Sequence, residues 1–357
     1  NEQALRILRL MGNTTSKKVT PSVGAEQEYF IVDREKYLQR KDLIFSGRTL
    51  FGAMPPKGQE LDDHYFGSIR ERIAAFMKDV NEELWKLGVS AKTQHNEVAP
   101  AQHEIDFKYD EALKTADNIQ TFKMTVKTIA KRHGLYATFM PKPIYGINGS
   151  GMHTNMSLMT KNAEGKTINA FYDSESEDGL SEVAHYFIGG LLKHVKGIAA
   201  YSNPTVNSYK RLVPGYEAPT YIVWSASNRS CLVRIPAARG MGTRVELRCP
   251  DPTCNPYLEM ALCLAAGLDG IKNKIVPAPA VDYNVFDLSN EELEERGIDC
   301  LPGSLEEAVK ASEADPFVKE TVGEHVFNAY TEGKKAEWDE YRTKVSQWEI
   351  DRYMVNY

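Results

Sequence analysis

The sequence predicts an α+β fold arranged around a largely antiparallel sheet. Segments with the two-residue alternation of strands occur in mixed order with segments of helical periodicity. Several strand-like segments follow one another across short turns that contain glycine or proline, which favours hairpins over long crossover connections. The chain has 357 residues, more than one compact core usually serves, so we expect one large domain with appendages or two domains.

The strand candidates combine apolar, aromatic and β-branched residues and are bounded by turn residues. They cover residues 23–32, 89–93, 104–109, 135–140, 152–159, 220–225, 230–235 and 243–249. The helix candidates cover residues 2–11, 69–87, 110–133, 181–201 and 256–271. We expect Asp110 to cap the start of one helix, and Gly88 and Gly134 to end two of them.

Two further regions are defined by composition. Residues 46–67 are rich in glycine and proline and predict a long loop, a kind of segment that often carries function. The charged sequence from about residue 289 to residue 357 predicts a helical C-terminal portion. Within it, residues 324–353 are expected to form a packing helix whose buried side carries Trp338, Tyr341, Val345 and Trp348.

Composition and charge restrict the classes of function. With 42% hydrophobic and 26% charged residues, the chain is typical of a soluble globular protein. A net charge of −6 argues against general binding of nucleic acid or of acidic membranes. No apolar run approaches the roughly 20 residues of a spanning helix, and the first residues resemble no signal or transit peptide. Five cysteines without a Cys-x-x-Cys pair predict reduced thiols, and we expect a cytoplasmic protein.

Residues 242–252 contain Arg244, Glu246 and Arg248 at intervals of two. In a strand, all three side chains would point to the same face. Burying such charges costs several kcal/mol per ion unless each is paired or bound, whereas arginine offers a two-pronged contact to phosphate or carboxylate groups. On spacing alone, an exposed polar strand face with ordinary ion pairs is the favoured explanation of the pattern.

Other segments add possible metal ligands. Glu26 and Glu28 share one face of the first predicted strand, where a divalent cation would relieve their repulsion. Residues 95–104 hold two glutamates and two histidines around a proline, which predicts a turn. A glycine-rich turn at residues 148–151 leads into His153. Each of these segments, taken alone, is also explained by a polar surface or a tight turn.

Arginines are concentrated in one part of this net acidic chain. Arg211, Arg229, Arg234 and Arg239 all precede the segment described above. Arginines suit phosphoryl transfer, in which charge stabilisation supplies most of the catalysis, although surface ion pairing is the alternative. No Walker-type phosphate loop or dinucleotide fingerprint is present. Because oxygen ligands favour Mg²⁺ or Mn²⁺ over Zn²⁺, the residues predict a metal-dependent enzyme that acts on a phosphorylated nucleotide.

Taken together and in this order, the segments resemble the glutamine synthetase family over nearly the whole chain. The motifs are Gly-Ala-Glu-Gln-Glu-Tyr-Phe, His-Asn-Glu-Val-Ala-Pro-Ala-Gln-His-Glu, Asn-Gly-Ser-Gly-Met-His, Asn-Ser-Tyr-Lys-Arg-Leu-Val-Pro-Gly-Tyr-Glu-Ala-Pro, Asn-Arg-Ser and Arg-Val-Glu-Leu-Arg-Cys-Pro-Asp-Pro. The resemblance is to the type III branch before about residue 105 and to the Gram-positive type I branch from there on. This mixture is expected of a recombinant or engineered chimera or of an unusual lineage. The resemblance implies a catalytic domain with a curved sheet over residues 1–357, without the family's small N-terminal β-grasp domain, which is expected of a fragment. Many type I members have a carboxylate where this chain has Lys92.

The resemblance also implies roles for individual residues. One metal ion would be held by Glu28, Glu97 and Glu104, and a second by Glu26, His153 and Glu246. Glutamate would be held by Asn148, Gly149, Arg211 and Arg248, and the transferred phosphoryl group by Arg229, Arg234 and Arg244. The nucleotide would contact Tyr109, Asn155, Ser157, Arg229 and Arg234. Glu217 would lie in a mobile flap over the intermediate, and Tyr65 near the ammonium site.

The implied activity is ATP-dependent ligation of ammonia to L-glutamate through γ-glutamyl phosphate, with Mg²⁺ or Mn²⁺ at a site for two or more metal ions. The family forms stacked rings, so a homo-oligomer is expected, with no nucleic acid and no membrane as partner. Two alternatives stay open. One is a glutamate ligase for another amine, because Arg211 and Arg248 say little about the incoming amine. The other is an assembly protein or an inactive catalytic-domain fragment.

Overall fold

The computed structural model describes residues 18–46, 64–162, 164–226, 228, 230–355 and 357, together with residues 5, 6 and 9. The helix predicted at residues 2–11 and the loop predicted at residues 46–67 therefore lie largely outside the described residues. Of that loop, residues 64–66 form a single helical turn.

Within the described residues, ten strands form one open sheet in the order β2-β3-β1-β6-β10-β9-β8, with β4 and β5 paired to β1 and β7 paired to β6. The strands are β1 (Thr20–Asp33), β2 (Ala91–Asn96), β3 (Gln102–Phe107), β4 (Asp110–Glu111), β5 (Leu135–Thr138), β6 (Thr154–Lys161), β7 (Thr167–Asn169), β8 (Tyr221–Ser225), β9 (Cys231–Arg234) and β10 (Val245–Leu247). Neighbouring strands are antiparallel except for the pair β8 and β9. The α+β fold with a mostly antiparallel sheet is confirmed.

The helices are α1 (Arg34–Gln39), α2 (Lys41–Ser46), α3 (Glu71–Lys86), α4 (Ala112–Arg132), α5 (Glu182–Ser202), α6 (Ser208–Arg211), α7 (Pro256–Asn273), α8 (Asn290–Glu295), α9 (Leu305–Ala314), α10 (Pro316–Val322), α11 (Glu324–Arg342) and α12 (Gln347–Tyr353). Gly88 and Gly134 follow helix ends with φ of 80° and 65°, as predicted. The prediction that Asp110 caps α4 is wrong, because Asp110 belongs to β4 and Glu111 precedes the helix. None of the described helices has both the length and the apolar character that a bilayer crossing demands.

Strand β1 separates the core from the polar face of the sheet. Val23, Tyr29 and Ile31 are buried in the main hydrophobic core, and the ring of Tyr29 lies between aromatic rings from α3 and α4. Glu26 and Glu28, on the alternate positions, line a polar cavity instead. The alternation of this strand therefore places a packed layer of helices on one side and carboxylates on the other.

Helices α5 and α7 cross with their backbones in contact. A Cβ atom added to Gly190 would lie 2.0 Å from the carbonyl oxygen of Ala266, and one added to Gly270 would lie 2.0 Å from that of Tyr186. No other residue type fits at this crossing without movement of the main chain. Both helices belong to the same hydrophobic core as β1.

The predicted packing face of the C-terminal helix is wrong beyond Trp338. Trp338 packs against the core, but Tyr341, Val345 and Trp348 are 37%, 72% and 60% exposed. For Val345 and Trp348 the physical reason is a break in the helix: α11 ends at Arg342 and α12 begins at Gln347. Residues on either side of such a break do not continue one helical stripe.

Candidate active site

A polar cavity of about 270 Å³ opens on the carboxylate face of the sheet. Strands β1 and β3 supply part of its lining through alternate residues, since Glu28 and Glu104 are directly paired in register. The turn at residues 148–153, the segment at residues 216–218 and three arginines add to the lining: Arg211, Arg234 and Arg248. The cavity therefore collects side chains from parts of the chain that are far apart in sequence.

The first acidic cluster contains Glu26, His153 and Glu246, whose possible ligand atoms all lie within 4.8 Å of one another. Nδ1 of His153 lies 2.9 Å from Oε2 of Glu26 and 3.7 Å from Oε1 of Glu246. The three residues come from β1, from the residue preceding β6 and from β10, which are adjacent in the sheet. They are the three residues that the resemblance assigned to one metal ion.

The second acidic cluster contains His95, Glu97 and Glu104, within the same distance limit. Nε2 of His95 lies 3.6 Å from Oε2 of Glu104. Glu28, which the resemblance grouped with Glu97 and Glu104, lines the same cavity. Its Oε2 accepts hydrogen bonds from the backbone N–H of Gly151 at 2.8 Å and from Nε2 of Gln102 at 3.0 Å.

The carboxyl groups in the cavity have opposed pKa shifts. Burial and the charge of Glu97 raise the pKa of Glu28 to about 7. Burial and a hydrogen bond with Glu97 raise the pKa of Glu104 far above its usual range. Burial acts in the same direction on Glu26, but the hydrogen bond and charge of His153 outweigh it and lower the pKa of Glu26 to about 2. In the second cluster, therefore, nearby positive groups do not offset the negative charge that the buried carboxylates would carry.

The donor set fits a hard divalent cation. Glu246 is 1% exposed, with both carboxylate oxygens lacking an aligned hydrogen bond. Nη2 of Arg234 and Nε of Arg248 lie 2.9 Å and 3.2 Å from these oxygens. Carboxylate oxygens with one imidazole in each cluster are ligands that Mg²⁺ and Mn²⁺ accept. A cation beside each cluster would also offset the repulsion among the carboxylates.

The glycine-rich turn packs closely against the guanidinium of Arg211. A Cβ atom on Gly149 would lie 2.3 Å from the carbonyl oxygen of Pro141, and one on Gly151 would lie 2.6 Å from Nη2 of Arg211. The buried guanidinium of Arg211 is held by the carbonyl oxygens of Cys249 at 2.7 Å and of Arg248 at 3.1 Å. The turn and this guanidinium therefore form one fixed wall of the cavity.

Four other predicted residues line the same cavity: Tyr65, Asn148, Glu217 and Arg234. Glu217 has a φ of 55°, an uncommon conformation for a residue with a side chain. The ring of Tyr65 lies 5.7 Å from that of His95. Burial, followed by the charge of Glu97, raises the pKa of Tyr65 well above its ordinary value, so Tyr65 stays a neutral hydrogen-bond donor.

A second cavity, of about 340 Å³, adjoins the first, and both are lined by Glu26 and Asp106. The other predicted residues that line it are Tyr109, Asn155, Ser157 and Arg244. Nε of Arg244 donates to Oδ1 of Asn155 at 2.9 Å, so Arg244 lies here and not beside Arg248. Lys92 also lines this cavity. Arg229 lies outside the described residues.

Residues 5–353 match the family model of the glutamine synthetase catalytic domain. The chain belongs to the glutamine synthetase family. It is 57% identical over 339 residues to a glutamine synthetase of Clostridium saccharobutylicum, covering 95% of this chain and 72% of that one. It is 56% identical to the Methanosarcina mazei enzyme, covering 80% of this chain and 62% of that one. The domain is that of a ligase of the glutamate–ammonia class.

Solved structures agree with this family assignment. A GmaS–ADP complex superposes with a TM-score of 0.80 at 34% identity, over 98% of this chain and 76% of that one. GmaS without ligand superposes with a TM-score of 0.75 at the same identity, over 99% of this chain and 75% of that one.

Six residues that line the first cavity were not assigned a role from the sequence: His95, Val98, Gln102, Asp106, Tyr216 and Ala218. Gln102 and Asp106 alternate with Glu104 along β3, and that alternation was a usable signal. Oδ2 of Asp106 accepts a hydrogen bond from Thr93 at 2.7 Å, while its buried Oδ1 has no partner among the described residues.

The second histidine of the same motif, His103, is not part of the cavity. It is buried, and its ring lies 6.2 Å from that of Tyr29 in the core. Burial, together with the charge of His95, lowers the pKa of His103 to about 4. His103 is therefore a neutral packing residue at physiological pH.

Proposed function

We propose that this chain ligates ammonia to L-glutamate with ATP, giving L-glutamine, ADP and phosphate through γ-glutamyl phosphate. The observation that carries the proposal is the cavity in which two acidic clusters adjoin Arg211, Arg234 and Arg248. Such a cavity suits a substrate with a carboxylate beside a group that transfers phosphate. Membership of the glutamine synthetase family supports the same reaction.

Two Mg²⁺ or Mn²⁺ ions are the proposed cofactors. Glu26, His153 and Glu246 would hold one ion, and Glu28, Glu97 and Glu104 the other, with His95 beside them. When bound, such ions neutralise phosphate oxygens and orient the groups that react.

In the first step, the arginines would position glutamate and stabilise the negative charge of the transferred phosphoryl group. Asn148, Gly149, Arg211 and Arg248 would position glutamate so that its side-chain carboxylate faces the nucleotide. That carboxylate oxygen attacks the γ-phosphorus of ATP, the bond to the β-phosphate oxygen breaks, and ADP leaves. Arg229, Arg234 and Arg244 would stabilise the negative charge that spreads over the transferred phosphoryl group.

The second step needs ammonia and exclusion of water. An ammonium ion near Tyr65 would lose a proton to a nearby carboxylate, for which Glu217 is the proposed acceptor. Ammonia then attacks the acyl carbon, the bond from that carbon to the phosphate oxygen breaks, and the nitrogen releases a proton to the departing phosphate, so that glutamine and phosphate form. Closure of the segment that contains Glu217 would protect the acyl phosphate from hydrolysis.

The nucleotide would occupy the second cavity, with its adenine against Tyr109 and with Asn155 and Ser157 alongside. Because the two cavities adjoin at Glu26 and Asp106, the phosphates would extend toward the acidic clusters.

The chain is also proposed to form a cytoplasmic homo-oligomer, as the resemblance implies. Light scattering of the purified chain tests the oligomeric state.

The decisive experiment is a coupled assay of ADP release with Mg²⁺ or Mn²⁺, alongside direct measurement of glutamine. ADP release that requires both glutamate and ammonium supports the proposal. Release that requires glutamate and prefers ethanolamine or a polyamine indicates the alternative ligase. Absence of ADP release from folded, metal-loaded protein indicates an inactive fragment or an assembly protein.

A further inference from the structure

Lys142 has an unusual environment in the segment between β5 and β6. Its side chain is buried, with 8% of the residue exposed. The ammonium group donates to the carbonyl oxygen of Ile147 and lies 3.8 Å from the centroid of the Tyr216 ring. Burial and the charge of Arg211 lower the pKa of Lys142 to about 8. A buried ammonium with such contacts is held in place by a carbonyl dipole and an aromatic face.

The main chain of Lys142 is fixed as well. Its backbone N–H donates to Oδ1 of Asn207 at 2.8 Å, and its carbonyl oxygen accepts from Nδ2 of Asn207 at 3.1 Å. Asn207 immediately precedes α6, the short helix that ends at Arg211. Lys142 thus projects from an anchored position and is not part of a free loop.

Each of the two groups that the ammonium contacts is adjacent to a predicted site residue. Ile147 precedes Asn148, and Tyr216 precedes Glu217. Asn148 and Glu217 line the first cavity and approach one another there. The side chain of Lys142 therefore links the glycine-rich turn to the segment that carries Glu217, the proposed proton acceptor.

We propose that Lys142 is a positioning residue that holds the turn with Asn148 and the segment with Glu217 together around bound glutamate. This inference rests on the proposed function. Loss of the ammonium group would let both segments move, so glutamate would bind more weakly and water would reach the acyl phosphate. The nucleotide, in the second cavity, would bind as before.

The test compares Lys142→Met, which keeps the length of the side chain, with Lys142→Arg, which keeps the charge. Lys334→Met is the matched control, because Lys334 also lies over an aromatic ring, that of Tyr330 at 5.6 Å, and lines neither cavity. Lys142→Met should raise the KM for glutamate about fivefold, the size of one cation–π contact. It should also raise the ratio of ADP released to glutamine formed, with an unchanged KM for ATP, and Lys142→Arg should restore part of both.

A second readout does not depend on turnover. Hydrogen exchange of the full chain should accelerate in peptides covering residues 143–149 and 214–219 of Lys142→Met, and of Tyr216→Leu, but not in α7. Unchanged exchange in both peptides, or equal acceleration throughout the chain, overturns the positioning role. If the wild-type chain shows no turnover at all, the proposed function fails, while the exchange comparison still decides the role of Lys142.

Discussion

Nδ2 of Asn148 lies 3.5 Å from Oε2 of Glu217, across the cavity that both residues line. The distance is at the long limit of a hydrogen bond, so the contact is weak. A bound molecule that offers either group a shorter contact can therefore replace it at little cost. The pair marks the place where the glycine-rich turn and the proposed flap meet.

Replacement of Glu217 by alanine is predicted to separate binding from synthesis. The Kd for ATP should stay within about twofold, because Glu217 does not line the second cavity. Glutamine formation should fall roughly 100-fold, the lower range for loss of a general base. Initial rates and nucleotide titration measure the two effects. Glu320→Ala, which alters an exposed carboxylate, is the control, and an unchanged rate of glutamine formation in Glu217→Ala would refute the role.

The variant Glu246→Gln is predicted to weaken Mn²⁺ binding. The substitution removes one charge from the first acidic cluster and leaves Arg234 and Arg248 beside a neutral amide. Affinity should fall by at least about tenfold, since changes even to groups around a metal ligand cost 10- to 100-fold. Titration followed by Mn²⁺ electron paramagnetic resonance measures the loss. Glu332→Gln on the exposed side of α11 should bind as the wild type does; equal affinity in both variants contradicts the assignment of Glu246.

Truncation of Tyr109 to alanine is predicted to weaken nucleotide binding alone. Tyr109 is 60% exposed and lines the second cavity, so its ring is available to a planar ligand. Loss of one aromatic contact should raise the Kd for ADP about five- to tenfold, with Mn²⁺ binding unchanged. Calorimetric titration of ADP gives the Kd, and Tyr136→Ala, an exposed tyrosine outside both cavities, provides the comparison. If both variants bind ADP equally, the adenine lies elsewhere.

Asp269 is predicted to contribute to the folding stability of the chain in a way that is lost at acid pH. Burial acts to raise the pKa of Asp269, but hydrogen bonds from His194 and Lys193 outweigh it and hold the pKa below the ordinary 3.8. A lowered pKa contributes stability that is present above 3.8 and is lost as the pH falls through the folded value.

The variant Asp269→Asn should therefore lower the free energy of unfolding by about 1 kcal/mol at pH 7, allowing for partial exposure. The difference from wild type should shrink as the pH falls below 3.8 and through the lowered folded pKa, because Asp269 then becomes neutral in the wild type as well. Urea unfolding at several pH values measures it. Asp287→Asn, at an exposed position, should show no such trend, and a difference for Asp269→Asn that is constant with pH would contradict the argument.

The five thiols are predicted to differ in reactivity. Cys231, Cys249, Cys254 and Cys263 are buried, and Cys300 is exposed. Burial raises the pKa of Cys300 too, so even this thiol should react slowly near neutral pH. A colorimetric thiol reagent should modify one group in the native chain and five after denaturation. Modification of two or more thiols before unfolding would show that the core opens more readily than its packing indicates.

The sequence was most informative where one face of a strand is buried. In β1, the apolar residues at alternate positions fix which face meets the core, and Glu26 and Glu28 then have to share the other face. The order of the motifs predicted the family, which the comparison over residues 5–353 confirmed. The metal, substrate and nucleotide roles of single residues remain predictions.

Contacts between distant segments could not be predicted from the alternation or the motifs of the sequence. Strand β10 covers Val245–Leu247 and not residues 243–249, and Arg244, just before it, donates a hydrogen bond to Asn155. The position of Lys142 over Tyr216 joins residues 74 apart in the sequence, and no periodicity reports such a contact. The helical stripe likewise did not predict that α11 ends at Arg342.

The meeting of Gly190 with Gly270 has a mechanical consequence. With carbonyl oxygens 2.0 Å from where any Cβ would stand, sliding α5 along α7 would bring larger side chains against the opposing main chain, where close packing leaves no room for them. The crossing therefore opposes relative movement of these two core helices, so we expect any closure around a substrate to come from the segments that line the cavity, such as residues 216–218.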